Sequence, residues 1–191
     1  MEELFKNPHD ALMFAFNYSS QQYALSPMAK LMKTGIGSGK GLVALDGAAQ
    51  SGIILARVEQ LTALQRACIV ARYAPRYEEC KCCDNKEKMT DIYREAMATL
   101  SEWAIGQYTG MTLRNLRVAI VRSFFERGVS VIDTAKKLNV SKNKAYDQKA
   151  RIHKALKDLD GAAQSAAAHL IEGMCSAPDE DFSCRGNTCP V

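Results

Sequence analysis

The chain of 191 residues is 47% hydrophobic, with only 12 glycines and 5 prolines, so most of it is expected to fold as one domain with appendages. Its net charge of +4 is unevenly spread: residues 1–110 hold 12 basic and 12 acidic side chains, residues 111–160 hold 12 against 5, and residues 161–191 hold 1 against 4. The opening MEELFKNPHD lacks a charged-then-apolar leader, and no apolar run approaches the roughly 20 residues a membrane span needs, so secretion and membrane insertion are not expected.

Residues 1–33 read as an N-terminal helical segment, its apolar positions including Leu4, Phe5, Leu12, Met13, Phe16, Tyr23 and Leu25, then Leu31 and Met32. Asn7-Pro8 and Ser26-Pro27 punctuate it, because a proline disfavours helix at the preceding residue. The aromatics of residues 14–18 are assigned to core packing in preference to a partner surface. Residues 34–44 form a glycine-rich linker. Its TGIGSGKG (Thr34–Gly41) departs from a phosphate loop, which needs G-x-x-x-x-G-K-[ST]. Three residues separate Gly35 from Gly39, Lys40 is followed by Gly41, and no buried strand precedes them. A nucleotide-dependent enzyme built on Gly35–Gly41 is therefore set aside.

Residues 45–110 read as a helical body. Asp46 is expected to cap a first short helix that buries Ile53, Ile54, Leu55 and Val58. Thr62 caps a second, burying Leu64, Cys68, Ile69 and Val70 and stopping before Pro75. Residues 76–89 make a polar loop carrying Cys80, Cys82 and Cys83. Thr90 then caps a helix to about Ile105, with Ile92, Met97, Leu100 and Trp103 at core spacing, and Gly106 and Gly110 flank a break. The heptapeptide LDGAAQS occurs twice, at Leu45–Ser51 and Leu159–Ser165, each time with an aspartate placed to start a helix. The second copy opens a last helix within residues 161–174, and the acidic residues 175–191, poor in core side chains, are expected to be disordered.

Residues 111–160 carry the strongest signal. Leu113–Phe125 (LRNLRVAIVRSFF) leads into VIDTAKKLNVSKNKAYDQKARIHKALKDL, two helices at a tight turn, the second longer and basic. Val131, Ile132, Ala135, Leu138 and Val140 supply the first helix and turn with apolar contacts. Ala145, Ile152, Leu156 and Leu159 recur at helical spacing along the second. Ala135 is small where the helices must cross, and Ser141 can cap the second helix. A helix-turn-helix sets the first turns of that helix against base edges in the major groove. The candidate base readers are Ser141, Lys142, Asn143, Lys144 and Asp147, with Arg151 beyond them. Lysine suits guanine acceptors, asparagine suits adenine and aspartate suits the cytosine amine. Tyr146 and Gln148 can each face core or groove. Arg114, Arg117, Arg122 and Arg127 are candidate phosphate contacts, and the local excess of basic charge is the footprint expected for double-stranded DNA. Homodimers on DNA are common for such units.

Seven cysteines in a chain expected in a reducing cytoplasm read as thiols or metal ligands rather than disulfides. Cys80, Cys82 and Cys83 form C-x-C-C, a spacing that can hold zinc but departs from the C-x₂-C knuckle. A fourth ligand would come from Cys68, the tail cysteines (Cys175, Cys184, Cys189) or His169, although Cys68 sits on an apolar helix face. His9, His153 and His169 stand in no catalytic constellation, so no enzymatic activity is expected.

The LTALQRACIVARY segment and Leu113–Phe125 both resemble the helix that opens the promoter-reading domain of bacterial sigma factors. With the cysteine loop between them and the helix-turn-helix behind, residues 43–160 resemble the phage late-gene antitermination proteins of the Q type. The resemblance implies an all-α protein of the bacterial cytoplasm, associated with the nucleoid. It implies binding at a bacteriophage late promoter, engagement of RNA polymerase and its sigma factor, and readthrough of terminators in late gene expression. It also implies zinc at Cys80, Cys82 and Cys83 in some members. The alternative is a helix-turn-helix repressor or activator that never travels with polymerase.

Overall fold

An Asn-Pro pair starts the first helix of the computed structural model, which describes Phe5 and residues 7–24, 44–80, 87–108 and 113–175. The Gly35–Gly41 linker, Ser26-Pro27, Gly110, Cys82, Cys83 and the acidic tail with Cys184 and Cys189 lie outside the described residues. Asn7 Oδ1 accepts from the Asp10 amide at 2.8 Å, and Pro8 occupies the first helical position, where its missing N–H is no loss. Helix α1 (Pro8–Ala24) buries Ala11, Leu12, Ala15, Phe16 and Tyr18, while Met13 points outward at 40% exposure. The aromatic cluster belongs to the core side: Phe14 lies between Phe5 and Tyr18, with ring centroids 5.3 and 5.4 Å away.

Helix α2 (Ala44–Val58) begins two residues ahead of Asp46, so that aspartate lies within the helix and not at its cap. Ile54 and Val58 are buried and Leu55 half-buried, but Ile53 is 43% exposed because it falls off the Ile54–Val58 stripe. Gly47 allows α2 to approach α1: a Cβ there would stand 2.8 Å from Tyr18 Cε2. The Ser51 hydroxyl, buried in the same contact, donates to the Ala15 carbonyl at 3.0 Å.

Helix α3 (Ala63–Tyr73) starts with a capping box between Thr62 and Gln65. It buries Ala67, Cys68, Ile69, Ala71 and Tyr73, leaving Leu64 and Val70 half-buried, and ends as Ala74 turns extended before Pro75. The polar loop expected at 76–89 is bounded by a short antiparallel ribbon, β1 (Tyr77–Glu79) and β2 (Glu87–Met89), with Tyr77 opposite Met89 and Glu79 opposite Glu87. Helix α4 (Asp91–Trp103) is capped by Thr90 and runs into a 3-10 turn (Ala104–Gln107). Its buried stripe is Tyr93, Ala96, Met97 and Leu100, which leaves Ile92, one position off it, 60% exposed.

Helix α5 (Arg114–Phe125) buries Leu116, Ala119, Ile120 and Val121, and α6 (Val131–Lys137) is capped by Ser130. The chain then reverses through residues 138–141: the Val140 amide donates to the Ala135 carbonyl at 2.9 Å, and Asn139 takes the left-handed φ of 55°. Asparagine tolerates that region better than most non-glycine residues.

Helix α7 (Lys142–Cys175) is one element of 34 residues, about 51 Å long, where two helices were expected. Its buried positions, Ala145, Gln148, Ile152, Leu156, Asp160, Ala163, Ala167 and Ile171, keep helical spacing straight through the second LDGAAQS copy. That continuous stripe outweighs the roughly 1 kcal/mol penalty of an interior glycine at Gly161. Asp160 does not cap anything. It is buried and takes a two-pronged ion pair from Arg72 on α3, with Nε–Oδ1 at 3.1 Å, and Gln164 donates to its Oδ2 at 2.6 Å. Helix α7 packs against α1, α2, α3, α5 and α6, so the described residues form one mostly helical core. No helix among them is long and apolar enough to cross a membrane.

Candidate nucleic-acid interface

The first turns of α7 are held by a cap and by their inner face. Ser141 Oγ accepts from the Lys144 amide at 3.4 Å, and Ala145, Gln148 and Ile152 turn inward against α5 and α6. Gln148 thus belongs to the core side, at 3% exposure, and its Oε1 has no hydrogen-bond partner among the described residues. The opposite face is open. Ser141, Lys142, Asn143, Lys144, Tyr146, Asp147, Ala150, Arg151 and Lys154 are all exposed. Asn143, Asp147, Ala150 and Lys154 follow one another at steps of 4, 3 and 4, which puts them on a single stripe directed away from the core. Ala150 and Lys154 were not among the expected site residues, yet the same periodicity that locates Ile152 and Leu156 inside locates them outside.

Much of the exposed positive charge of residues 113–160 is uncompensated. Among the described residues, Lys142, Lys144, Lys154 and Lys157, with Arg114 on α5, Arg127 beyond it and Lys137 on α6, make no ion pair, and all are exposed. Asp147 is different from the acceptor expected: its Oδ1 takes the Arg151 Nε at 3.3 Å, one turn along the helix. The Arg151 guanidinium also lies over the Tyr108 ring, 5.3 Å from its centroid. A shallow recess of about 170 Å³ separates the start of α6 from α7, lined by residues including Val129, Ile132, Tyr146 and Lys149. It is smaller than a usual small-molecule pocket of roughly 300–1,000 Å³.

Two of the four arginines named for phosphate lie elsewhere. Arg117, on the apolar stripe between Leu116 and Ile120, is 6% exposed and stands 3.7 Å from Glu102. Its neighbours Leu116, Ile120 and Val121 mark that inward position by helical arithmetic alone. Arg122 is engaged in a polar knot: its Nη2 donates to Glu126 at 2.9 Å and to the Tyr77 hydroxyl at 2.7 Å, and Tyr77 in turn donates to Glu126. Burial opposes ionisation of Glu126, but the hydrogen bonds from Tyr77 and Arg122 and the Arg122 charge outweigh it and hold the carboxyl below its usual range. Arg76 joins the knot by donating to the Phe125 carbonyl at 2.6 Å. The cluster fastens the β1–β2 ribbon to the end of α5.

Of the three cysteines expected to hold metal, only Cys80 lies within the described residues, half-buried at the end of β1. No three His, Cys, Asp or Glu side chains gather into a metal-binding group among those residues. Cys68 is fully buried, and burial, reinforced by the Asp160 charge, pushes its thiol up to about 12, so it is a core residue and a poor nucleophile. His153 is half-buried behind the exposed face, with Nε2 3.0 Å from Ser123 Oγ and 3.1 Å from the Ile120 carbonyl, and edge-on to Phe124. His9 pairs with the Tyr73 hydroxyl at 2.9 Å, and His169 is exposed on α7. Comparison with protein families, curated proteins and solved structures finds no match to this chain.

Proposed function

We propose that this chain is a sequence-specific double-stranded-DNA-binding regulator of transcription that uses α6, the turn at 138–141 and the start of α7 as a helix-turn-helix. The observation that supports the reading best is the exposed α7 face, with Asn143, Asp147, Ala150 and Lys154 in line and uncompensated lysines on either side. An α-helix about 10–12 Å across fits a major groove about 12 Å wide. Lys142, Lys144, Arg114, Arg127 and Lys137 would contact phosphates, a term that raises affinity for any sequence and weakens with salt. Asn143 would read a base edge, and the small Ala150 lets the helix backbone approach the floor of the groove. Arg117 and Arg122, being engaged inside the protein, take no part.

Within that class, the fuller reading is a phage-type antiterminator. It binds near a late promoter in the bacterial cytoplasm and modifies RNA polymerase together with its sigma factor. The support is the arrangement read in the sequence of residues 43–160, two sigma-like helical segments on either side of a cysteine loop with a helix-turn-helix pattern behind them. The reading assigns the chain no catalytic step, and zinc at Cys80, Cys82 and Cys83 is a structural proposal only, decided by elemental analysis of the reduced protein. The test of the function is transcription in vitro on DNA flanking its own gene, with a terminator downstream. Added protein is expected to increase readthrough. Unchanged termination, with the protein shown to bind that DNA and failing to copurify with core polymerase, replaces the antiterminator with a plain repressor or activator. Absence of DNA binding overturns the whole proposal.

A further inference from the structure

Arg151 differs from every lysine on the exposed face of α7 in having its posture set from two sides. Asp147, one turn earlier on the same helix, accepts from Nε at 3.3 Å. Tyr108, which follows the 3-10 turn after α4, lies against the guanidinium at 5.3 Å from carbon to ring centroid. The Arg151 side chain nevertheless remains 64% exposed. With Nε taken by a carboxylate and the guanidinium carbon lying over a ring, the terminal Nη1 and Nη2 are the donors left for a ligand. Two parallel donors on a planar group match the O6 and N7 acceptors of guanine in the major groove.

We infer that Arg151 reads guanine on this face, and that Tyr108 and Asp147 are the residues that position it. The inference rests on the DNA-binding reading above, and it changes the role of Asp147 from cytosine acceptor to support for a neighbour. The physical reason is entropic. A solvent-exposed arginine samples many rotamers and must give up that freedom to make a bidentate contact. An arginine held between a ring and a carboxylate has surrendered part of it before DNA arrives, so more of the contact appears as affinity for the correct base. Tyr108 carries no charge, and its ring contributes to the specific complex without altering the count of phosphate contacts.

The experiment is a double-mutant cycle on a selected DNA site, read by titration at several salt concentrations. Tyr108→Leu keeps an apolar side chain and removes the ring, and Tyr108→Phe keeps the ring. Thermal unfolding of each variant establishes that it is folded. Tyr108→Leu is expected to weaken specific binding about 3–10-fold with an unchanged salt slope, Tyr108→Phe to bind within about 2-fold of the parent, and Tyr108→Leu to have no further effect once Arg151→Ala is present. Replacing each guanine of the site by 7-deazaguanine should reveal one position whose loss is felt by the parent and not by Arg151→Ala. In the DNA-free protein, the Arg151 side-chain protons should show a ring-current shift that Tyr108→Leu abolishes. Specific binding with additive effects of Tyr108→Leu and Arg151→Ala, no guanine tied to Arg151, or no ring-current shift each overturns this inference while leaving the DNA-binding reading intact. Failure of the parent protein to bind any DNA overturns the reading on which it rests.

Discussion

Asp160→Asn tests the contact that fixes α7 to α3. Asparagine preserves the shape of the side chain and removes its charge. The aspartate side chain is 7% exposed and accepts from Arg72 through both oxygens and from Gln164, whereas the Arg72 side chain is 37% exposed and can recover water when its partner is neutralised. Breaking a fully buried pair costs about 3–5 kcal/mol, and an exposed pair contributes about 0–1 kcal/mol. With one member buried and the other partly wet, the loss should be about 2 kcal/mol, between those limits. For a chain of this size that corresponds to a fall in Tm of about 4–8 °C. Urea unfolding followed by circular dichroism measures it, with Arg72→Met and the double variant completing a cycle. The reasoning is refuted if Asp160→Asn loses under about 0.5 kcal/mol, or if the two substitutions are additive, because a shared ion pair requires them to be coupled.

Gly161→Ala should stabilise the protein by about 1 kcal/mol, since the position is exposed inside α7 and a Cβ there meets nothing within 4 Å; a neutral or destabilising result by chemical denaturation would mean that the helix breaks at this point. Gln148→Met removes a buried acceptor that lacks a partner among the described residues and keeps an unbranched side chain of similar length, so stability should rise by about 1 kcal/mol; a loss of that size would show that the amide is satisfied. Burial holds the His153 imidazole below its usual range, the Ile120 carbonyl opposing and the Lys149 charge reinforcing the effect. The unfolded chain then binds the proton first, so stability should fall as pH drops through about 6.5 and level off below the folded value. His153→Gln should flatten that portion of the profile in urea midpoints taken from about pH 5.5 to 7.5, and an identical slope in the variant would assign the effect elsewhere.

Local chemistry was legible where its partner lies within a turn. Thr62, Thr90 and Ser141 cap as expected because the amide each hydroxyl accepts from is three residues on. The stripe Ala145–Ile152–Leu156 was legible for the same kind of reason, being set by helical period alone. The second LDGAAQS copy misled, since an Asp-Gly pair reads as a helix start and this one lies inside α7, whereas the first does stand in the opening turn of α2. Nothing near Asp160 announces Arg72, 88 residues earlier, and it is that partner which makes a buried aspartate tolerable. The inward position of Arg117 could be read from its flanking apolar residues, whereas the engagement of Arg122 depends on Tyr77, 45 residues away. The β1–β2 ribbon, built from YEE and EKM, has no apolar alternation to betray it.

Helix α7 is the element on which both halves of the proposal depend. Arg151 and Asp160 are nine residues apart on it, about 13 Å at the helical rise. Between them no turn or glycine can absorb a rotation. On the DNA-binding reading, the orientation of the reading face relative to α3 is therefore set by the Arg72–Asp160 pair and by the stripe Ile152–Leu156–Ala163, rather than by the turn at 138–141 alone. A substitution at Asp160 should thus affect DNA recognition beyond its effect on the folded fraction. With Asp160→Asn protein kept well below its Tm, specific affinity is expected to fall about 2–5-fold while binding to random DNA is retained, because phosphate contacts tolerate a change of helix angle that base contacts do not. Equal loss on both kinds of DNA would show that the distal half of α7 serves stability only.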